Sequence, residues 1–390
     1  MMKKLHIINL EKMGGVERLF LQYINETNDD SNNVICISRE IGAEIRRQMP
    51  QQKVTFATRL VNTWALRCPQ FLRKFLLQWK ISRFNADVII VWDLIPGLAM
   101  KPKRGKLLYY DHGCSWRYPQ NAKTLRFFSM LDGVISASFA SKRVMDLRFN
   151  LPCKTQVVIN RIKTPSDISL NEKRVGEPIR LGTASRLVTL KGISVSILTM
   201  KELVQRGYNV TMEIAGKGPD LAVFEEMVLK AGLQERCFFS GFQHNIADFF
   251  NRVDIYMSTP VTEPFGLSCM EALYYGVPVI FPLIDGQPEV VKDGLCGLGV
   301  VPTVTIEEHM ALSGIQVDFP HKVYDPIGDR LVEPKLMSHI LCANAVEKLL
   351  HTETYRTFSK NAQYFTTDNF SYDEFKEEFD HALQFYIGNQ

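Results

Sequence analysis

Residues Thr262–Phe281 read TEPFGLSCMEALYYGVPVIF. Glu263 and Glu271 stand eight positions apart, with Phe265-Gly266 between them. The spacing predicts a helix that begins near Leu267. Its start would expose unpaired backbone N–H groups and the positive end of the helix dipole, a setting that suits an anion. Gly266 would let the backbone come close to that anion. Glu271 then lies about one turn into the helix and Glu263 lies before it, so one carboxylate falls on either side of the bound group.

Working outward, the flanking sequence is a repeated alternation of short apolar runs and helical periods. IRLGTAS (179–185), VTMEIAG (210–216), CFFSG (237–241), IYMST (255–259), VPVIF (277–281) and GLGV (297–300) read as strands. GISVSILTMKELVQRG (192–207) and PDLAVFEEMVLKAG (219–232) read as the helices between them, the second with Pro near its start and Gly after its end. The first half follows the same rule. LHIINL (5–10) runs through Gly14-Gly15 into a helical pattern, and NVICIS (33–38), DVIIVWD (87–93), KLLYYDHG (106–113) and GVISAS (133–138) follow. Near-continuous apolar runs such as DVIIVWD belong to parallel strands buried on both faces. The chain is therefore α/β, with two Rossmann-like doubly wound parallel-sheet domains, 1–170 and 171–370. Residues 171–178 form the linker, and a final helix near 371–388 packs back on the first domain. A helix is expected over 336–362, and residues 303–335 read as a long loop or insertion.

Two such domains resemble the GT-B glycosyltransferase fold, in which they face one another across a cleft. Glu263-Pro-Phe-Gly-Leu-Ser-Cys-Met-Glu271 resembles the E-x7-E motif of retaining, family-four glycosyltransferases. Gly276-Val-Pro-Val-Ile and Gly286-Gln-Pro-Glu-Val-Val-Lys-Asp-Gly294 continue in the same way. The resemblance covers most of 179–300 and, more loosely, the first half. It implies a nucleotide-diphosphate sugar as donor, UDP ahead of GDP, with Phe265, Gly266 and Leu267 at its diphosphate. Glu271 then accepts from the ribose hydroxyls and Glu263 from those of the transferred sugar. Gly182-Thr-Ala-Ser-Arg186-Leu-Val-Thr-Leu-Lys191-Gly192 resembles the segment whose Arg and Lys hold the diphosphate. Two fixed cations there would stabilise charge that grows on the leaving phosphate. Gly216 and Gly241 fall where the family lines the nucleotide. Gly14 and Gly15 fall where it approaches the donor phosphate or the acceptor, and His112 where it contacts the sugar near the scissile bond.

No Asp-x-Asp occurs, so neither a metal nor another cofactor is expected, and Arg186, Lys191 and the helix start take the metal's place. The resemblance implies a glycan or glycolipid acceptor in lipopolysaccharide, capsule or other cell-surface polysaccharide synthesis. The alternatives on the same fold are a sugar-nucleotide epimerase and an inactive partner subunit.

Charge is unevenly divided. Residues 1–170 hold 27 Lys and Arg against 13 Asp and Glu, leaving 19 against 29 in the remainder. Within the basic half, FLRKFLLQWKISRF (71–84) spaces Phe71, Phe75 and Trp79 four apart among Arg73, Lys74, Lys80 and Arg83. That pattern fits either a helix whose apolar face lies on the sheet or one lying in an anionic membrane interface. No run is long enough for a transmembrane helix. The expectation is a cytoplasmic protein, peripheral on the membrane's cytoplasmic face, with no nucleic-acid partner. Eight widely spaced cysteines, none in a Cys-x-x-Cys pair, read as reduced thiols.

Overall fold

The computed structural model describes residues 2–27, 31–49, 53–61, 68–163 and 175–388. The chain divides into two compact units, Met1–Lys163 with Ser371–Gln390, and Thr164–Phe370. The boundary expected at 170/171, and residues 171–174 of the expected linker, lie outside the described residues.

The first unit is built on seven parallel strands: β1 (Lys4–Ile8), β2 (Asn32–Cys36), β3 (Val54–Phe56), β4 (Val88–Trp92), β5 (Lys106–Asp111), β6 (Gly133–Ser136) and β7 (Thr155–Val157). Their order is β3-β2-β1-β4-β5-β6-β7. Side chains alternate across the pleat, so each strand feeds two apolar layers. Ile8, Val88, Ile90 and Tyr110 join one layer with Phe375, Phe379 and Leu383 of the helix Tyr372–Gly388. Leu5, Ile7, Ile89 and Leu107 join the other, with Leu77, Ile81 and Phe127. Tyr386 anchors the last helix by donating to the Val134 carbonyl at 2.7 Å.

The second unit repeats the plan with β8 (Ile179–Ala184), β9 (Val210–Ala215), β10 (Cys237–Gly241), β11 (Ile255–Met257), β12 (Val279–Pro282) and β13 (Gly297–Val300), ordered β10-β9-β8-β11-β12-β13. In sheets of this kind the strand order reverses at one point, and the crevice beyond the strands' C-terminal ends there is the usual ligand site. That point lies between β1 and β4 in the first unit and between β8 and β11 in the second.

Three expectations are corrected. Residues 303–335 are not a bare loop: they hold a helix, Ile306–Ser313, and an antiparallel hairpin of β14 (Val323–Asp325) and β15 (Arg330–Val332). The helix starts with a capping box, in which Thr305 accepts from the Glu308 amide and the Glu308 carboxylate from the Thr305 amide. The stretch 336–362 is two helices, His339–Leu349 and Thr352–Asn369, because each has a different surface to meet. The first joins Cys342, Val346 and Leu349 to the core that holds Met200 and Leu203, while Tyr355 of the second donates to the Asp254 carbonyl at 2.9 Å. Lys80 is no surface charge either. It is 5% exposed, and its ammonium donates to the carbonyls of Phe56 at 2.6 Å and Arg59 at 2.5 Å. The helix Arg73–Arg83 thus buries Leu77, Lys80 and Ile81 and leaves Phe75 and Trp79 exposed, while Phe71, in the 3-10 turn Gln70–Leu72 before it, is 72% exposed. Strands β3 and β7, three residues each, were not expected from sequence.

Candidate functional site

In the second unit, two loops leave the sheet where the strand order reverses. One follows β8 and carries Ser185–Gly192; the other follows β11 and carries Ser258–Gly266. They are laced together. The Val261 amide donates to the Leu190 carbonyl at 2.9 Å, and the Thr259 hydroxyl to the Gly192 carbonyl at 2.8 Å. Gly192 permits this approach: it has φ +63°, and a Cβ there would fall 1.8 Å from the Thr259 carbonyl oxygen. The outcome is a contact between Lys191 and Glu263, with Nζ 2.5 Å from Oε2. Both side chains are only partly covered, so both remain within reach of a ligand. Arg186 lies on the same loop and is exposed.

Beyond Glu263, the chain turns into the helix Leu267–Tyr274, whose N-cap is Gly266 with φ +110°. This is the helix start that the spacing requires. Glu271 is one turn in and 6% exposed, and Phe265 is buried against the Phe370 ring. So Glu263, Phe265, Gly266, Leu267 and Glu271 are neighbours along one loop and its helix, and Lys191 reaches Glu263 from the other loop. The Ala215–Gly218 turn approaches the same place. A Cβ on Gly216 would lie 1.8 Å from the Ser185 carbonyl oxygen, and the Gly216 amide donates to the Gly241 carbonyl at 2.7 Å. Gly216 and Gly241 therefore flank the Arg186 loop at the ends of β9 and β10.

The residues that hold Glu263 in place were not singled out in the sequence. Asp285, buried and with φ +48°, accepts from the Thr262 hydroxyl at 2.7 Å and the Glu263 amide at 2.9 Å. Its other carboxylate oxygen accepts from the Tyr324 amide at 2.8 Å, so the hairpin of β14 and β15 is tied to the Glu263 loop. Gln287, fully buried, donates to the Ser258 hydroxyl at 2.7 Å. An Asp before Gly286 was the available signal, since a left-handed non-Gly residue in a turn is most often Asn or Asp.

The first unit holds the other expected residues. Gly14 caps the helix Gly15–Glu26 after β1, in extended conformation. Glu17 in its first turn is pushed up to about 7, by burial first and then by the charge of Asp93. Asp93 ends β4 with φ +49° and accepts from the amides of His112 at 2.9 Å and Cys114 at 3.1 Å. His112 follows β5. Burial pushes its imidazole down to about 4, against a smaller upward pull from Asp93. The ring is stacked on Trp92 at 5.7 Å, and Nδ1 lies 3.2 Å from Asn160 Nδ2. Asp111 beside it is fully buried. It accepts from Gly113, from Ser115 (Oγ at 2.6 Å) and from Ser141, so it shapes the loop rather than facing a ligand.

Among the described residues, no group of three or more His, Cys, Asp or Glu side chains could hold a metal ion. No helix among them is long and apolar enough to cross a membrane.

Comparison with known proteins agrees with this geometry. Residues 167–311 match the family "Glycosyl transferases group 1". An uncharacterised glycosyltransferase of Methanocaldococcus jannaschii is 26% identical over 208 residues, covering 48% of this chain and 53% of the relative. The chain thus spans about half the length of that curated relative. The lipopolysaccharide core biosynthesis glycosyltransferase LpsD of Rhizobium meliloti is 24% identical over 297 residues, 73% of this chain and 79% of the relative. Among solved structures, Anabaena HepE in complex with UDP and glucose superposes with a TM-score of 0.74 at 19% identity, covering 98% of this chain and 100% of HepE. That likeness carries the fold: two Rossmann-like parallel-sheet domains of the GT-B class.

Proposed function

From the match of residues 167–311 to the group 1 glycosyl transferases, we propose that this chain transfers a sugar from a UDP-sugar to a glycan or glycolipid acceptor with retention at the anomeric carbon. The observation that carries the reading is the Lys191–Glu263 contact, made where the sheet order reverses and immediately before a Gly-capped helix start. Amides and a dipole at that start favour a diphosphate. Arg186 and Lys191 supply positive charge that binds the leaving diphosphate more tightly as its charge grows. Glu263 accepts from hydroxyls of the transferred sugar and Glu271 from those of the ribose, while Gly216 and Gly241 give the nucleotide close access to backbone. His112 contacts the sugar, and the Gly14-Gly15 turn serves the donor phosphate or the acceptor. In the reaction, the bond from the anomeric carbon to the phosphate oxygen breaks and one to the acceptor oxygen forms on the same face. The acceptor's proton passes to the leaving phosphate, and no protein nucleophile is used. HepE with UDP and glucose, and the lipopolysaccharide role in the name of LpsD, support the choice of UDP and of a cell-surface glycan.

We further propose that the acceptor is met at an anionic membrane surface, on the cytoplasmic face. Phe75 and Trp79 stand exposed on the helix Arg73–Arg83, and Phe71 on the turn just before it, beside Arg73, Lys74 and Arg83. Phe75 and Trp79 also line a groove of about 480 Å³ with Met100, Lys103 and Arg104.

The test is incubation with a panel of nucleotide sugars, without acceptor and with lipid-linked glycans. Release of free sugar from a UDP-sugar, and faster release with an acceptor, is the expected result. Interconversion of two nucleotide sugars would make the chain an epimerase, and absence of binding an inactive partner.

A further inference from the structure

His112 is ringed by groups that fix more than its position. Trp92 lies parallel to the imidazole, 5.7 Å away with 11° between planes, and the Tyr110 ring sits 4.0 Å from it. Tyr110 is fully buried, and its hydroxyl lies 3.2 Å from Asn160 Oδ1. Burial pushes that phenol well up, so it keeps its proton and donates it to the amide oxygen. The amide's other end, Nδ2, faces His112 Nδ1 at 3.2 Å. The Asn160 backbone amide donates to the Ala137 carbonyl at 3.1 Å, which fixes the residue's backbone at the end of β6. An amide nitrogen donates and does not accept, so Nδ1 must offer a lone pair. In a neutral imidazole the proton is then on Nε2.

Nε2 itself is buried and makes no hydrogen bond among the described residues. A buried donor left without a partner is costly and calls for an explanation. A ligand oxygen supplies one.

We infer that Asn160, oriented by Tyr110, is a positioning residue that holds His112 as the Nε2–H tautomer, presenting a hydrogen-bond donor to the sugar. The inference about the sugar rests on the function proposed above; that about the tautomer does not. It has a chemical consequence. An Nε2–H imidazole donates to a hydroxyl or ring oxygen and cannot take the acceptor's proton at that nitrogen, in keeping with a leaving phosphate that takes it.

The experiment is long-range ¹H–¹⁵N correlation NMR on uniformly labelled protein near pH 7.5, with the His112 signals identified by their loss in His112→Gln. The expected spectrum has Nε2 protonated and Nδ1 unprotonated. Asn160→Asp puts an acceptor in place of the amide nitrogen, and the two nitrogens should exchange states. A wild-type spectrum with the proton on Nδ1 overturns the inference, whether or not the variants fold; so does an Asn160→Asp spectrum unchanged from wild type. Turnover of the same variant separates the two layers. A fall of roughly tenfold or more with little change in donor KM supports the contact with the sugar, one oriented donor being worth up to about 100-fold or more. Exchange of the tautomer with full activity would take His112 out of the reaction while the tautomer assignment stood.

Discussion

Where β8 and β11 part, the second unit sets Lys191 against Glu263 in a partly open corner, with exposed Arg186 nearby. Where β1 and β4 part, the first unit's polar groups, partly covered as Lys191 and Glu263 are, are spent on loop contacts or shifted toward neutrality instead. Asp93 is spent on loop amides, and burial pushes Glu17 up to about 7 and His112 down to about 4. The same topological solution thus presents fixed charge in one unit and groups held near neutrality in the other. The difference runs against net charge, for Arg186 and Lys191 belong to the acidic part of the chain and Glu17 and Asp93 to the basic part. A unit's overall charge describes the surface it offers to solvent and to large partners; the charge at its strand ends describes the small group it binds.

The largest effect should come from removing fixed charge in the second unit. Lys191→Ala and Arg186→Ala are expected to lower turnover by about 100-fold or more, the scale for losing one donor to a developing oxyanion. The donor KM should change much less, since these cations bind the transition state more tightly than the ground state. Steady-state kinetics decide it. A rise in KM alone would mean that the corner only binds the donor.

Removing charge from the surface of the first unit should act on a different step. Arg73→Ser, Lys74→Ser and Arg83→Ser together should weaken attachment to anionic vesicles by about 100-fold at low salt, each charge being worth about 1 kcal/mol near the surface. The loss should shrink at physiological salt, where the Debye length is about 8 Å, and donor binding should be unchanged. Lys80 is left out because it holds the Phe56 and Arg59 carbonyls. Co-sedimentation with vesicles at two salt concentrations is the measurement. A wild type that stays in solution at low salt would remove the membrane from the proposal.

Within the same corner of the second unit, the two glutamates should separate. Glu271→Ala is expected to weaken binding of free UDP by about tenfold, the value of a hydrogen bond to a charged group. Glu263→Ala should leave UDP binding nearly intact and lower turnover. Calorimetry with UDP on both variants tests it, and equal losses would undo their assignment to opposite sides of the diphosphate.

Much of this corner was legible because its signals are local. Glu263, Gly266 and Glu271 belong to one loop and helix, and the strands around them are short, largely apolar runs alternating with helical periods, the pattern of a doubly wound sheet. What escaped reading depends on contacts made far along the chain. Asp285 matters through Thr262, Glu263 and Tyr324, and Asn160 through His112 and Tyr110. Nothing in their neighbours in sequence marks those partners. Lys80 looks like a surface charge until the carbonyls it holds are known, because lysine's long stem can bury along apolar surface while its ammonium finds acceptors elsewhere. The Thr305–Glu308 capping box is the exception, being a local signal that sequence carried and the periodicity of 303–335 concealed.

The smallest effect bears on the first unit alone. Glu17 is pushed from 4.5 to about 7, by burial first and by Asp93 to a lesser degree. Between those two pH values the folded chain binds a proton that the unfolded chain has released, so stability falls as pH rises. The contribution is fully present below 4.5 and is lost as pH passes through 7. Glu17→Gln cannot titrate. Its stability relative to wild type should therefore rise between pH 5 and pH 8, by about 1 kcal/mol after allowance for the side chain's partial access to solvent. Asp111, which burial and Asp93 push up to about 6, titrates in both proteins and cancels in the difference. Urea midpoints of the two proteins at both pH values give the comparison. A difference that stays flat would show Glu17 to be charged and hydrated at neutral pH, and the contrast between groups near neutrality and fixed charge would then rest on His112 alone.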